Sequence, residues 1–285
     1  MTVHVKNFIS NCRVCKECKS SNEHMMPGIG EEVITDRPFQ KIYIDFLGKY
    51  PRSKKGNAYV LVVVDQLTKF VFIKAMREAT ASNVVKFLVE QVFQQFGVPE
   101  TIHSNNGTQF VSRVSENDRR LQIHHMKTAF YSPQSNSAER VNQSIVNAIR
   151  SYIRKDHTEW DINLSNIEIA LRTSIHAAIG VSPFFALFGH NMFTCGKDYK
   201  LARKLKALSD GELNLLPKKE RIEIIRDKIK QNLHEAYERS AIRYNRRARI
   251  TRFVPGQEVF KRNFVLSSFK DNRNAKFCRK FTKCR

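Results

Sequence analysis

The stretch that decides the fold is residues 38–70, PFQKIYIDFLGKYPRSKKGNAYVLVVVDQLTKF. Its first part alternates in polarity, with apolar residues on one face of an extended chain at Ile42, Ile44 and Phe46. Tyr43 and Asp45 fall on the opposite face. Because side chains of a strand alternate between its two faces, this pattern predicts a β-strand that carries a carboxylate on one side.

The second part of this stretch predicts two more strands joined by a tight turn. The valines at 62–64 are typical of a strand buried on both faces, and residues 70–73 form its partner. Residues 65–69 lie between them and fit a hairpin turn. Within it, a structural role in the turn is the better interpretation for Asp65.

Downstream, helices and strands continue to alternate. Residues 80–97 predict a helix that is capped by Thr80 or Ser82 and ended by Gly97. Its apolar stripe consists of Val84, Val85, Leu88, Val92 and Phe93. Further strands are predicted at 99–104 and 122–129, and further helices between 107 and 121, within 131–155 and over 160–175. This order predicts an α/β layered domain, with helices packed on a sheet.

The chain is strongly basic. Among its 285 residues, 49 Lys and Arg against 27 Asp and Glu give a net charge of +22. Residues 201–285 hold 24 of the basic and 9 of the acidic side chains, which is +15 of that total. This balance favours a polyanionic partner, with nucleic acid first, and the alternative is a generally basic protein. A long amphipathic or coiled-coil-like helix is predicted at 218–249.

Cysteine usage and hydropathy bear on location. Six cysteines are present, three of them clustered at Cys12, Cys15 and Cys18, and this spacing is not that of a secreted disulfide framework. No apolar run approaches the roughly 20 residues that span a bilayer. We therefore expect an intracellular and, given the expected DNA partner, nuclear location.

Three polar positions end or face predicted strands and could form one site. Asp45 faces away from the apolar side of its strand, Asn105 follows the strand at 99–104, and Glu139 begins a helix after a Ser-rich loop. A layered sheet can bring these positions together. Carboxylates grouped in this way hold two Mg²⁺ ions for phosphoryl transfer.

Four segments carry a resemblance to a known family: the 38–70 stretch, IHSNNGTQF at 102–110, KTAFYSPQSNSAERVN at 127–142 and GVSPFFALFG at 180–189. Together they resemble the integrase of Ty3/gypsy-type LTR retrotransposons, a member of the retroviral-type DDE superfamily. The resemblance implies a ribonuclease-H-like core, a mixed five-stranded sheet flanked by helices. It also implies Mg²⁺- or Mn²⁺-dependent 3′-end processing and strand transfer of DNA.

By the matching motifs, Asp45 and Glu139 correspond to the first and last members of the family's Asp, Asp, Glu triad. The second Asp falls on Asn105. An amide oxygen can bind a cation but brings no negative charge, so we expect weakened Mg²⁺ binding at Asp45 and Glu139 and impaired catalysis. The chain is then either an impaired DNA integrase or a non-catalytic domesticated or decayed derivative that binds nucleic acid or a protein.

The flanking segments resemble the family's smaller modules. Residues 1–35 match part of a His-His-Cys-Cys zinc segment, with Cys12 and Cys15 as implied Zn²⁺ ligands, Cys18 as a substitute, and free thiols as the alternative. Residues 36–195 correspond to the catalytic core and 196–250 to a basic helical region. Residues 251–285 resemble the start of an SH3-like module. Both terminal modules are expected to be partial.

Two sets of residues are candidates for DNA contact. The first lies near the triad and comprises Lys127, Gln134, Asn136, Arg140 and Asn142. The second is a basic cluster that includes Arg246, Arg247 and Arg249. Solvated surface residues are the alternative for both sets. The family resemblance further implies self-association on DNA, and no membrane partner is expected.

Overall fold

The structure is a computed structural model that describes residues 3–18, 31–32, 34–105, 107, 110, 121–127, 137–152, 156–204, 218–246, 254, 256–262 and 279–283. The chain divides into two compact units. The larger comprises residues 30–239, and the smaller comprises residues 1–29 together with 240–285. Within the described residues, none of the helices is long and apolar enough to cross a membrane.

A mixed five-stranded sheet organises the larger unit. Its strands are β1 (Lys41–Gly48), β2 (Tyr59–Asp65), β3 (Val71–Met76), β4 (Thr101–Ser104) and β5 (His124–Lys127). Their spatial order is β3-β2-β1-β4-β5. β1, β2 and β3 pair antiparallel, whereas β4 is parallel to β1 and β5 is parallel to β4. The predicted ribonuclease-H-like integrase core is thereby confirmed for this unit.

The two faces of the sheet bury separate apolar clusters, as the alternation in β1 predicts. Ile42 and Ile44 pack on one face with Val63, whereas Tyr43 packs on the other with Val62. The valines of β2 therefore serve both cores, which confirms that this strand is buried on both sides. Because one residue of slip would exchange the two faces, this pattern fixes the register of the central strands.

Helices cover both faces of the sheet. On one face the chain runs through α3 (Ala81–Phe87), a π-helical segment (Leu88–Phe93) and α4 (Gln94–Phe96), and Gly97 ends the run with a positive φ of 89°. Thr80 is the N-cap, since its side chain accepts the N–H of Asn83. On the other face lie α5 (Ser137–Tyr152) and α6 (Leu164–Thr173). The chain continues through α7 (Pro183–Phe188), α8 (Gly196–Lys204) and α9 (Lys218–Asn245).

The hairpin between β2 and β3 is organised by a fully buried carboxylate. Asp65 accepts the backbone N–H groups of Phe39 and Thr68, each at 2.8 Å, and the Thr68 hydroxyl at 2.6 Å. Burial raises the pKa of Asp65, and the donors from Thr68 and Phe39 oppose that shift. The turn role predicted for Asp65 is confirmed.

The outer edge of β3 is closed by two charged residues of α6. The Arg172 Nε donates to the Val71 carbonyl at 2.8 Å, and its guanidinium lies 4.3 Å from the centre of the Phe70 ring. Glu168 accepts the Ile73 N–H at 3.1 Å and Arg172 Nη2 at 2.5 Å. Since an open strand edge can pair with another chain, this ion pair protects the sheet from edge-to-edge association.

The predicted long helix is present as α9. The apolar face of its 218–239 part packs inside the larger unit. Ile229 is buried with Leu67 and Ile179, and Leu233 packs partly against them. Asn232 Nδ2 donates to the Ile179 carbonyl at 2.8 Å, next to Gly180. The contacts explain why apolar residues recur at three- and four-residue steps along this segment.

The smaller unit contains α1 (Val3–Asn11), α2 (Arg13–Cys18) and a two-stranded antiparallel sheet of β6 (Phe260–Arg262) and β7 (Phe281–Lys283). Glu17 is buried, and its carboxylate accepts hydrogen bonds from the guanidinium groups of Arg13 and Arg279. The ion pair with Arg279 joins α2 to the segment that leads into β7, whereas the pair with Arg13 lies within α2. The domain boundaries predicted from sequence and the SH3-like nature of the last segment remain predictions.

Candidate active site and nucleic-acid interface

The parallel pairing of β1 and β4 brings two of the predicted site residues together. Ile44 lies opposite Ser104 in this pairing, so Asp45 and Asn105 are the next neighbours at the carboxyl end of β4. Their side chains are in direct contact, with Asn105 Nδ2 donating to Asp45 Oδ1 at 2.5 Å. The Phe46 N–H donates to the same carboxylate oxygen at 2.8 Å.

The orientation of the Asn105 amide follows from its second hydrogen bond. Its Oδ1 accepts the Gly107 N–H at 2.9 Å, so its NH₂ group must face Asp45. Flipping the amide would oppose its oxygen to the Asp45 carboxylate and its NH₂ group to the Gly107 N–H. The backbone turn after β4 therefore selects an amide donor, not an acceptor, toward Asp45.

A second amide completes the cluster. Asn142 of α5 donates from Nδ2 to Asp45 Oδ2 at 2.8 Å and is only 7% exposed. Both oxygens of Asp45 thus receive a side-chain N–H, one from Asn105 just after β4 and one from Asn142 in α5. Hydrogen bonds to a carboxylate stabilise its ionised form. We refer to Asp45, Asn105 and Asn142 as the amide–carboxylate cluster.

The cluster as arranged does not fit a cation between Asp45 and Asn105. Mg²⁺ requires oxygen ligands at about 2.0–2.1 Å in a near-octahedral shell. Here Asn105 Nδ2 donates to Asp45 Oδ1 at 2.5 Å, which leaves no room for an ion between the two groups. Metal binding at Asp45 would first have to displace the Asn105 amide.

The remaining predicted site residues are placed as follows. Glu139 lies in the first turn of α5, three residues before Asn142, and Arg140 follows it; their side chains are outside the described part of the structure. Lys127 is exposed at the end of β5, paired in register with Ser104. Arg246 is exposed after α9. Gln134, Asn136, Arg247 and Arg249 are outside the described residues. DNA contact by these residues remains a prediction.

His103 is buried on the same face of the sheet as the cluster. The His103 ring stacks on Tyr43 with 5.0 Å between centroids and is 6% exposed. Burial, followed by the charge of Lys41, lowers the pKa of His103 to about 4. His103 is therefore neutral near pH 7, which agrees with its interpretation as an ordinary strand histidine.

The zinc prediction receives no support from the geometry. Cys12 lies just before α2 and Cys15 lies in its first turn, and both are half-buried. Among the residues that the structure describes, no group of three or more His, Cys, Asp or Glu side chains is arranged to hold a metal ion. The Zn²⁺ site at Cys12 and Cys15 remains a prediction without a described ligand set.

Sequence reasoning placed Asn142 among the DNA contacts and did not identify its bond to Asp45. The available signal was its position three residues after Glu139 on the same helix, because residues at this spacing share a helix face. The role of Gly107 was also missed. Its N–H fixes the Asn105 amide, and such local side-chain-to-backbone bonds are common after Asn and Asp in turns.

The strand order and the place of Asp45 on the central strand agree with the ribonuclease-H-like core that the sequence predicts. Residues 35–135 match the family model described as "Integrase core domain". The match includes positions 45 and 105. This segment is therefore similar to an integrase core domain, and the resemblance to a retrotransposon-type integrase that the sequence predicts is confirmed at that level.

Similar proteins come from transposons and retroviruses. An uncharacterized protein of Caenorhabditis elegans is 31% identical over 67% of this chain and 14% of its own length. The retrovirus-related Pol polyprotein from transposon 412 of Drosophila melanogaster is 23% identical over 93% of this chain and 21% of its own length. The Ty3/gypsy assignment is consistent with the similarity to the transposon 412 polyprotein.

Among solved structures, the chain is similar to the simian T-cell lymphotropic virus intasome in complex with the PP2A regulatory subunit B56 gamma. That similarity has a TM-score of 0.48 at 17% identity and covers 68% of this chain and 69% of that one. The chain spans about a seventh of the length of the Caenorhabditis elegans relative and about a fifth of the length of the transposon 412 polyprotein.

Proposed function

We propose that this chain is a DNA-binding protein of integrase lineage whose DNA-joining activity is impaired at Asn105. In that lineage the activity is Mg²⁺-dependent 3′-end processing and strand transfer. The observation that carries the proposal is the 2.5 Å hydrogen bond from Asn105 Nδ2 to Asp45 Oδ1. A donor occupies the place where the family's chemistry requires a second carboxylate.

The energetic argument concerns how Asp45 is neutralised. Two carboxylates at positions 45 and 105 would repel each other unless a cation lay between them, so a metal would bind there with a large electrostatic gain. In this chain the amide N–H groups of Asn105 and Asn142 already stabilise the charge of Asp45. Little electrostatic driving force is left for Mg²⁺, and what remains must also break the bond to Asn105.

DNA binding is supported by a different property of the chain. The net charge of +22, of which +15 falls in residues 201–285, favours contacts with phosphate. Such binding does not require the amide–carboxylate cluster. The chain can therefore retain DNA affinity while lacking catalysis, and self-association on DNA is part of the same proposal.

The test is strand transfer on a labelled donor DNA end in Mg²⁺ and in Mn²⁺, with DNA binding measured in parallel by anisotropy at several salt concentrations. We expect the natural chain to bind DNA with a steep salt dependence and to join none. Asn105→Asp should join DNA, and the double variant Asp45→Asn, Asn105→Asp serves as the inactive control. Joining by the natural chain in Mg²⁺ at a rate near that of Asn105→Asp would refute the impairment.

The second candidate is a domesticated or decayed derivative without catalytic capacity, which binds nucleic acid or a protein partner. The packing of Asn142 onto Asp45 favours it, because this second amide would persist after Asn105→Asp. If Asn105→Asp binds DNA as tightly as the natural chain and still joins none in either metal, this candidate is the better account.

A further inference from the structure

A cavity of about 340 Å³ lies on the α5 side of the sheet, within the larger unit. Its walls are two aromatic residues, Tyr50 and Trp160, together with Pro51 and the α5 residues Val146 and Ile149. Arg150 and His157 also line it. This volume lies at the lower end of the range for small-molecule sites, which is enough for one planar ring system.

The walls of the cavity are held rigidly. The loop between β1 and β2 is fixed to the turn at 156–161 by several bonds. Trp160 Nε1 donates to the Pro51 carbonyl at 2.9 Å, and the Lys54 N–H donates to the Thr158 carbonyl at 3.0 Å. The buried Asp161 accepts the Ser53 hydroxyl at 2.7 Å. The aromatic walls are therefore positioned before any ligand binds.

The lining of the cavity is cationic and aromatic. Arg150 is exposed at its rim. Burial raises the pKa of Tyr50, and the positive charge of Arg150 opposes that shift. Three carboxylates are next to lining residues in sequence. Asp156 and Glu159 form ion pairs with Lys54 at 3.1 and 2.5 Å, and Asp161 accepts hydrogen bonds from Ser53 and Asn57, each at 2.7 Å. Among the described residues, none that lines the cavity carries a carboxylate. An aromatic ligand with an attached anionic group matches this combination.

The cavity also lies along the same helix as the amide–carboxylate cluster. Asn142, Val146 and Ile149 recur at four- and three-residue steps and so share one face of α5. Arg150 is eight residues from Asn142, a helix distance of about 12 Å. A strand that reached Asp45 would need to extend by only a few nucleotides to reach the cavity. Proteins that bind single strands commonly follow the backbone over such lengths.

We propose that this cavity binds one unpaired nucleotide of a DNA strand, with its base against the half-buried Tyr50 ring and its phosphate at Arg150. Trp160, which is only 4% exposed and lies 5.3 Å from the Tyr50 ring centre, supports that ring from beneath. The proposal rests on the DNA-binding function proposed above and adds a subsite to it. Base–aromatic stacking is tolerant of sequence, so the subsite recognises single-stranded character and not a particular base.

Trp160 is the only tryptophan in the chain, so its fluorescence reports on the cavity directly. The experiment titrates the full chain with the oligonucleotide (dT)₄ and follows Trp160 emission. We expect saturable quenching, about tenfold weaker binding in Arg150→Gln from the lost phosphate contact, and little quenching in Val146→Phe, which fills the cavity. Lys86→Gln on the opposite face of the sheet is the charge-matched control and should behave like the natural chain.

Further arms separate the alternatives. Thymidine monophosphate binding as tightly as (dT)₄ would overturn the strand assignment in favour of a free nucleotide. Quenching by an acidic aromatic peptide and not by (dT)₄ would assign the cavity to a protein partner. Equal quenching in Val146→Phe with an unchanged melting temperature would place the nucleotide elsewhere. Blunt-duplex anisotropy is measured separately, so failure of general DNA binding is distinguishable from failure of this subsite.

Discussion

Replacing Asn105 by Asp should convert the amide–carboxylate cluster from a metal-independent to a metal-dependent structure. The change removes the donor 2.5 Å from Asp45 Oδ1 and puts an oxygen of a second carboxylate in its place. Without a cation, the new pair must separate, take up a proton or remain strained. Each of these outcomes lowers the stability of the folded state.

The magnitude follows from two contributions. Losing a hydrogen bond to a charged acceptor costs about 1.5–3 kcal/mol. Two like charges about 4 Å apart at an effective dielectric constant near 20 repel by about 4 kcal/mol. Proton uptake sets an upper limit on this cost. Protonating one carboxyl group whose unfolded-state pKa is about 3.9 costs about 5 kcal/mol at pH 7.5, and this step removes the repulsion. We expect a net destabilisation of about 3–5 kcal/mol in EDTA, or a drop in melting temperature of roughly 6–20 °C.

Thermal unfolding with and without Mg²⁺ tests this reasoning. The natural chain should melt at the same temperature in EDTA and in Mg²⁺, whereas Asn105→Asp should melt lower in EDTA and recover in Mg²⁺. Asn105→Ala removes the donor without adding a charge, so it should be destabilised less and should not respond to Mg²⁺. Because repulsion raises the folded-state pKa of the pair, the loss in Asn105→Asp should grow as the pH rises above about 4 and vanish below it.

Two results would refute the account of the cluster. One is an Asn105→Asp variant as stable as the natural chain in EDTA. The other is a natural chain whose melting temperature rises in Mg²⁺ by as much as that of Asn105→Asp.

Three further predictions concern the scaffold. Asp65→Asn should destabilise the core by about 2–4 kcal/mol, because the NH₂ group of the amide would replace one of the two oxygens that accept hydrogen bonds. Urea unfolding measures this loss, and a value below that of Thr68→Val would contradict the prediction. Arg172→Ala should lower the free energy of unfolding by about 2–4 kcal/mol, because it leaves Glu168 without its cation. It should also promote self-association through the edge of β3, and a variant that stays monomeric in ultracentrifugation would count against edge protection. Asp156 has a pKa of about 2, lowered first by its hydrogen bonds to Thr158, so its contribution is present above about pH 4 and lost as the pH falls toward 2. The stability difference between the natural chain and Asp156→Asn should therefore disappear over that range, and a constant difference would disprove the assignment.

The core of the larger unit could be predicted from sequence because its signals are local and redundant. Alternation in β1, the run of valines in β2 and the cap at Thr80 each specify one element, and the structure has all three. The pairing of Asp45 with Asn105 needed the order of strands, which the family resemblance supplied. Spacing alone could not establish that β4 lies parallel to β1.

The chemistry of the site was harder to predict, because it depends on which end of an amide faces which neighbour. Asn105 can donate or accept, and sequence reasoning treated it as a weak metal ligand through its oxygen. The Gly107 N–H decides otherwise by engaging that oxygen at 2.9 Å. Asn142 was similarly interpreted from its polarity alone. In the structure it is only 7% exposed, because its side chain faces the sheet and donates to the Asp45 carboxylate of β1.

These contacts change what the substitution at position 105 means for the folded chain. A simple loss of a metal ligand would leave Asp45 as an under-neutralised charge and the site open to any cation. Instead, both Asp45 oxygens receive amide donors, and a backbone turn fixes the orientation of one of them. The amide at 105 therefore removes a ligand and also supplies the interaction that the ligand's cation would have provided. A chain with this arrangement can fold without metal and keep the basic segments to which we assign DNA binding. Stability in EDTA and strand transfer should therefore respond in opposite directions to Asn105→Asp.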